Sequence, residues 1–286
     1  MEWSLHIRGT DDLRHPAALS PDLARHFGNV EFTRFAYGTE FCENLLPSPE
    51  ALSDVSRAAG KLTFLTPYVS DRGISNLRQL FAVLDDAEVV FNDWGVLRLL
   101  RTEFPRLTPV QGRLLNKSLR DPRVTSIYAE TAAGAPESSL RVLQRSNLDN
   151  LSYLALLERY NVRSVELDHL PQGTDTSFAA SGVQISIYLP FGFISTSRVC
   201  MAAALHYHPR DKFQPGAICR HECQTHQLEY AYSNSPFQNR DQKFLLKGNT
   251  YFYRHTDAML AALAADQSQG RIARLIYQPS LPMYFG

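Results

Sequence analysis

The stretch Lys61–Gln111, "KLTFLTPYVSDRGISNLRQLFAVLDDAEVVFNDWGVLRLLRTEFPRLTPVQ", decides the fold. Leu62–Thr66, Val89–Asn92 and Leu107–Gln111 are short apolar runs of strand length. Between them, "SNLRQLFAVLDD" and "WGVLRLLRTEF" set leucines at helical spacing. Strand, helix, strand, helix, strand is the signature of parallel sheet, because parallel neighbours must be joined by a crossover.

The same alternation extends in both directions. Ser4–Ile7 and Val30–Tyr37 precede it; Arg163–Leu167, Val183–Tyr188 and Ile272–Tyr277 follow, making eight strands. "SPEALSDVSRAAG" offers Ser48 as N-cap, Pro49 in the first turn and a stop at Gly60. "NLSYLALLERYN" and "HTDAMLAALAADQSQG" supply two further helices. Eight strands of this kind predict an α/β fold, a TIM-type (β/α)8 barrel, incomplete or distorted if one repeat departs from the pattern. The 286 residues form one barrel domain, residues 1–286, with no linker, repeat or second core. Residues 201–249 are too long for an ordinary barrel loop and read as an insertion on the C-terminal face, after the seventh strand. Ile127–Ser139, "IYAETAAGAPESS", reads as a surface loop.

Lys plus Arg and Asp plus Glu both number 29, so the chain is formally neutral. That gives no electrostatic case for nucleic acid or an anionic membrane. No apolar run has the length of a membrane helix, and the charged N-terminus is unlike a signal peptide. The expectation is a cytoplasmic protein, whose thiols stay reduced.

Three of the four cysteines fall within Ser197–Cys223, "SRVCMAAALHYHPRDKFQPGAICRHEC"; the other, Cys42, lies far upstream in "YGTEFCENL". Each follows the C-terminal end of a strand. In a TIM barrel those ends open on one face, so Cys42 can meet Cys200, Cys219 and Cys223 at one rim. Four thiolates suit an iron–sulfur cluster or tetrahedral zinc. Four unrelated core thiols is the plain alternative, since free cysteine is readily buried. Only Cys219 and Cys223 form a close pair, a dispersed layout that fits a cluster better than zinc knuckles. His206, His208, His221 and His226 crowd the same insertion and read mostly as polar loop residues, although one could replace a cysteine ligand.

Several segments together resemble the bacterial collagenase-like peptidases, family U thirty-two, and within it the short single-barrel members of anaerobic ubiquinone biosynthesis. They are "FAYGTEFCENL", the stretch from Lys61 through "GRLLNKS", "ISTSRVC", "ICRHEC" and "KFLLKGN", in that order along most of the chain. The resemblance implies a barrel with a 4Fe–4S cluster held by Cys42, Cys200, Cys219 and Cys223. It implies a subunit of an oxygen-independent hydroxylase in which prephenate supplies the oxygen, working as a heterodimer with a longer homologous protein. The alternatives are a non-catalytic iron–sulfur scaffold or electron-transfer partner of that homologue, and a zinc-bound barrel enzyme. Proteolysis has no motif here: there is no G-x-S-x-G and no H-E-x-x-H.

Other residues at strand ends are candidates by position. Asp168 and His169 close the sixth strand and read as an acid–base pair, or as a hydrogen-bonded turn. Arg113 and Asn116 follow the fifth strand, and Arg198 adjoins Cys200. These three read as substrate-binding residues, the arginines as carboxylate receptors. Asn92 and Asp93 read as a helix cap in preference to a base.

Overall fold

The computed structural model describes residues 1–122, 137–213, 218–230, 244–267 and 269–283. Eight parallel strands close a barrel: β1 (Glu2–His6), β2 (Arg34–Gly38), β3 (Leu62–Leu65), β4 (Glu88–Phe91), β5 (Thr108–Gln111), β6 (Ser164–Asp168), β7 (Gln184–Leu189) and β12 (Arg274–Tyr277). Each pairs in register with its neighbour in the chain order, and β12 closes the ring between β7 and β1. All eight expected strands are present. The second starts at Arg34 rather than Val30.

The described helices are α1 (Thr10–Arg14), α2 (Pro21–Phe27), α3 (Pro49–Ala58), α4 (Asp71–Ala82), α5 (Trp94–Glu103), α6 (Glu137–Gln144), α7 (Leu151–Arg159) and α8 (Asp257–Gln267). Their starts follow capping chemistry. Ser48 Oγ accepts from the Ala51 amide at 3.2 Å, and Ser70 Oγ from Gly73 at 3.3 Å. Asp93 accepts from Gly95 at 2.7 Å, so Asp93 is the cap its position suggested. Of the loop expected over Ile127–Ser139, residues 127–136 lie outside the described residues, and Glu137–Ser139 open α6 instead.

Alternation along each strand sorts side chains to two sides. Leu5, Phe64, Val89, Val165, Ile187 and Leu275 face outward and join the helices' leucines in the main core. The inward set meets in layers. At the N-terminal end, Arg274 forms paired bonds to Glu88 at 2.7 and 2.9 Å and reaches Glu2 at 2.7 Å. Arg34 adds a bond to Glu2 at 3.1 Å. Ala36, Leu65, Val90, Val110, Tyr188 and Ile276 form an apolar cluster inside the barrel, and the Tyr188 hydroxyl donates to the buried Glu166 at 2.6 Å. The C-terminal end is polar again and carries the candidate site.

The elaboration after the seventh strand differs from the expectation. It begins at β8 (Phe191–Thr196), ten residues before Met201. β9 (Leu228–Tyr230), β10 (Phe244–Lys247) and β11 (Thr250–Arg254) complete an antiparallel sheet in the order β8-β11-β10-β9. This sheet also corrects the expectation of no second core. Phe41, Phe193, Phe252, Leu245, Leu281 and Met283 form a separate buried cluster. Phe41 and Phe252 pack edge-to-face at 5.1 Å and are both fully buried. Burial of such a ring contributes about 2 kcal/mol. The sheet is thus held by apolar packing against the loop after β2, the same loop that carries Cys42. Among the described residues, no helix is long and apolar enough to cross a membrane.

Candidate functional site

The turn Gly248–Asn249, between β10 and β11, is where the cysteine-bearing loops meet. The Asn249 amide nitrogen donates to the Phe41 carbonyl at 2.8 Å, next to Cys42, and to the Ser197 carbonyl, three residues before Cys200. The Ala202 amide donates to the Gly248 carbonyl at 3.3 Å. Gly248 has φ +61°, and a Cβ there would strike Met283 Cε and lie 3.3 Å from Cys223 Cβ. Both the backbone angle and the space therefore require glycine. His221, inside the Cys219–Cys223 segment, bonds the Asn44 carbonyl at 3.2 Å. One turn and one histidine thus tie the loop of the remote Cys42 to the segment that carries the other three.

The thiols feel one another. Burial pushes the Cys42 thiol up to about 12, and Cys219, Cys223 and Cys200 act in the same direction. Burial also raises Cys200 and Cys223. Polar hydrogens oppose this at three sulfurs. The Asn44 amide serves Cys42, the Ala203 amide lies 3.4 Å from Cys200 Sγ, and Gln224 Nε2 lies 3.4 Å from Cys223 Sγ. N–H donors aimed at sulfur are the outer-shell contacts that hold thiolate ligands and tune a cluster. No disulfide joins any of the four. Among the described residues, no group of three or more His, Cys, Asp or Glu side chains is gathered closely enough to hold a metal ion. Thiolates are the donor type of both tetrahedral zinc and iron–sulfur clusters.

The arginines expected to receive a substrate are placed otherwise. Arg113 is fully buried. It forms a two-pronged pair with Glu40 at 2.9 and 2.7 Å, bonds Asp168 at 2.8 Å and the Phe191 carbonyl at 3.0 Å, and stacks 3.8 Å over the Tyr188 ring. Burial opposes its charge, but Glu40 and Asp168 outweigh burial and hold its pKa above the usual value. Arg113 is therefore a structural ion, not an open carboxylate receptor. The other Asp168 oxygen is bound by Arg120, whose second nitrogen bonds the Arg113 and Asn116 carbonyls at 3.0 and 3.1 Å. Asp168, clasped by two guanidiniums, is not placed to shuttle protons. Arg198 is exposed, donates to the Val69 carbonyl at 3.0 Å and lies 5.7 Å from the Tyr68 ring. It sits in the loop that carries Cys200 and ties that loop to the one between β3 and α4. Asn116 is buried, and its Oδ1 has no hydrogen-bond partner.

His169 also departs from its expected role. Burial holds it down to about 4, and it stands edge-on to His255 at 5.8 Å. The fold thus keeps His169 neutral, whereas the unfolded side chain protonates near 6.5. Below pH 6.5 the unfolded chain takes up a proton that the fold refuses, so stability falls as pH drops toward 4. At pH 5 the loss from His169 is about 2 kcal/mol. We expect His169→Gln to narrow the gap between urea stabilities at pH 7 and pH 5 by about that amount. An unchanged gap would show that His169 titrates normally.

Sequence reasoning missed Glu40, Arg120, Tyr68 and Asn249. Glu40 had a usable signal, since it follows β2 as Asp168 ends β6. Asn249 lay in the quoted "KFLLKGN" without being assigned a role. Asn92 does more than precede the cap: it donates to Thr66 O at 2.8 Å and accepts from the Leu114 amide at 3.0 Å, joining the loops after β3, β4 and β5. A Cβ on Gly112 would collide with its amide.

No protein-family model matches the chain, and no curated protein matches it. Among solved structures it is similar to a glycoside hydrolase family 18 N-acetylglucosaminidase from Paenibacillus barengoltzii, at 12% identity over 98% of this chain and 95% of that one, TM-score 0.36. It is similar to a chitinase-like agglutinin from Robinia pseudoacacia, at 11% identity over 96% and 94%, TM-score 0.38. A family GH18 chitinase from Cycas revoluta, solved with allosamidin, matches at 10% identity over 96% and 94%, TM-score 0.34. At these TM-scores the likeness carries no argument; the barrel assignment rests on its own strand pairing.

Proposed function

We propose that the chain is an iron–sulfur subunit of an oxygen-independent hydroxylation system of the kind found in anaerobic ubiquinone biosynthesis. Cys42, Cys200, Cys219 and Cys223 would hold a 4Fe–4S cluster. The partner would be a longer homologue from the collagenase-like peptidase family, the oxygen donor prephenate, and the compartment the cytoplasm. The observation that supports this reading is that two remote segments carry four free thiols, the three of one segment near enough to act on Cys42 of the other, with N–H donors on three of them. When bound, the cluster supplies one-electron chemistry beside the barrel mouth.

The chain's own residues then have definable tasks. Asn249 fixes the spacing of the Cys42 and Cys200 loops. Tyr68 lines a cleft beside the mouth and packs against Asn249. Its hydroxyl is 3.3 Å from both Thr196 Oγ1 and Asn249 Nδ2, and its pKa is raised by burial and also by Cys42 and Cys200. Arg198 ties the Cys200 loop to Val69, in the loop between β3 and α4.

The test is anaerobic purification, alone and with the longer homologue, followed by iron and acid-labile sulfide analysis and prephenate titration. Brown protein with equal iron and sulfide, binding prephenate in at least one of the two states, is the expected result. Protein without sulfide would end the cluster reading. A full cluster without prephenate binding would favour the scaffold or electron-transfer role.

A further inference from the structure

The cleft of about 830 Å³ beside the barrel mouth has Tyr68 and Thr196 in its wall. Behind them a chain of hydrogen bonds runs inward. Thr196 ends β8 and Thr250 begins β11, and the register of the two strands sets them opposite each other, so their hydroxyls meet at 2.8 Å. Tyr68 Oη lies 3.3 Å from Thr196 Oγ1, and Thr250 Oγ1 lies 2.9 Å from Asn249 Oδ1. The inner end of the chain is sealed: Thr250 is fully buried, and Asn249 is only 6% exposed.

The direction of the chain follows from that inner end. A primary amide has two N–H hydrogens and one acceptor oxygen. Asn249 Nδ2 meets the Phe41 and Ser197 carbonyls, which can only accept, so its hydrogens are committed there and its oxygen faces Thr250. The Tyr68 oxygen, 3.3 Å from the same nitrogen, at most shares one of those hydrogens. Asn249 Oδ1 carries no hydrogen, so Thr250 donates to it. Thr250 then accepts from Thr196, and Thr196 accepts from Tyr68. Each hydroxyl has one hydrogen, and each is spent on the next residue inward. Without the Thr250 hydroxyl, Asn249 Oδ1 would be a buried acceptor lacking its donor, and a flipped amide would set that oxygen against two carbonyl oxygens. Either outcome weakens the two bonds that tie the Cys42 loop to the Cys200 loop.

We propose that Thr250, Thr196 and Tyr68 are positioning residues for the thiol site, their directed chain of hydroxyls holding the Asn249 amide in the one orientation that joins the two cysteine loops. They act through Asn249, so their influence is graded. Thr250 supplies the donor to the amide itself, Thr196 orients Thr250, and Tyr68 orients Thr196. The use of this device rests on the four cysteines acting as one site. It does not depend on which metal group they hold or on the proposed hydroxylation.

The experiment is hydrogen–deuterium exchange on the full chain without iron, comparing Thr250→Val, which keeps the shape and removes the hydroxyl, with Thr250→Ser, which keeps the hydroxyl. Peptides covering residues 39–46 and 197–202 report the two loops, and α5 (Trp94–Glu103) serves as the control. Thr250→Val should speed exchange in both loops about tenfold and leave α5 unchanged. Thr250→Ser should stay within about twofold of wild type, Thr196→Val should give about threefold, and Tyr68→Phe less. The same chains are then loaded anaerobically with iron and sulfide. Thr250→Val should alter the electron paramagnetic resonance spectrum of the reduced protein, and Thr250→Ser should restore it. If Thr250→Val does not fold, Thr196→Val against Thr196→Ser, at a partly exposed position, makes the same comparison. Valine and serine variants that behave alike would overturn the proposal, and so would faster exchange spread equally into α5. If no variant, wild type included, takes up iron and sulfide, the cluster reading fails, while the exchange comparison still decides whether the hydroxyls hold the loops.

Discussion

Replacing Cys42 with alanine is expected to abolish cluster binding and leave the barrel folded. Cys42 is the one cysteine outside the Cys200–Cys223 segment, and the Asn249 and His221 contacts tie its loop to that segment. A cluster of this type takes four cysteine thiolates, so three remaining sulfurs leave one iron atom without its protein ligand. The barrel does not depend on that thiol. Cys42 lies just past β2, in a short turn outside the closed ring of strands, and a core of this size needs no metal to fold. Iron and sulfide should therefore fall to background after anaerobic reconstitution, while far-UV circular dichroism and the urea midpoint stay close to wild type. Iron retained at the wild-type level in Cys42→Ala would remove Cys42 from the ligand set.

Arg113→Met is expected to cost about 3–5 kcal/mol of stability, the usual penalty for removing one partner of a buried ion pair. Arg113, Glu40 and Asp168 are all fully buried. Without the guanidinium, Glu40 loses both its charge-assisted bonds and its counter-ion. Its pKa is already raised, by burial first, with Arg113 the main opposing influence. Asp168 keeps Arg120 and so suffers less. The comparison that isolates the cause is the double variant Glu40→Leu with Arg113→Met. Removing both charges should recover part of the loss, because no carboxylate is then stranded. Urea unfolding with unchanged slope is the measurement. A stability within 1 kcal/mol of wild type for Arg113→Met would show that water or rearrangement compensates Glu40, and that the cluster of ions is not structural.

The contrast between these two variants reflects how differently the two parts of the rim were legible. The barrel could be read from local pattern. The strands are short and apolar, most are followed by a helical pattern, and Ser48, Asp93 and Gly60 mark helix ends with local chemistry. These signals act within one turn or one strand, so they survive without knowledge of the rest of the chain. The position of Cys42 and Cys200 past strand ends was legible for the same reason, since parallel closure places all such ends on one face.

What Arg113 and Asp168 do was not legible. Both stand where a barrel enzyme places substrate-binding groups, and sequence alone cannot distinguish an arginine that faces solvent from one that faces Glu40, 73 residues earlier in the chain. The pairing depends on the loops after β2, β5 and β6 converging on a point that no local spacing encodes. The extra sheet was hidden in the same way. β8 and β11 pair across more than fifty residues, and the apolar positions that hold them to the mouth, Phe193 and Phe252, read locally as ordinary strand alternation. By itself, then, the sequence determined the eight-stranded ring, its helices and the face on which the thiols lie, because periodicity and capping are local properties. Only the tertiary structure decided which polar side chains are sealed in ion pairs and which line the cleft, because burial and partner choice are properties of the packed loops together.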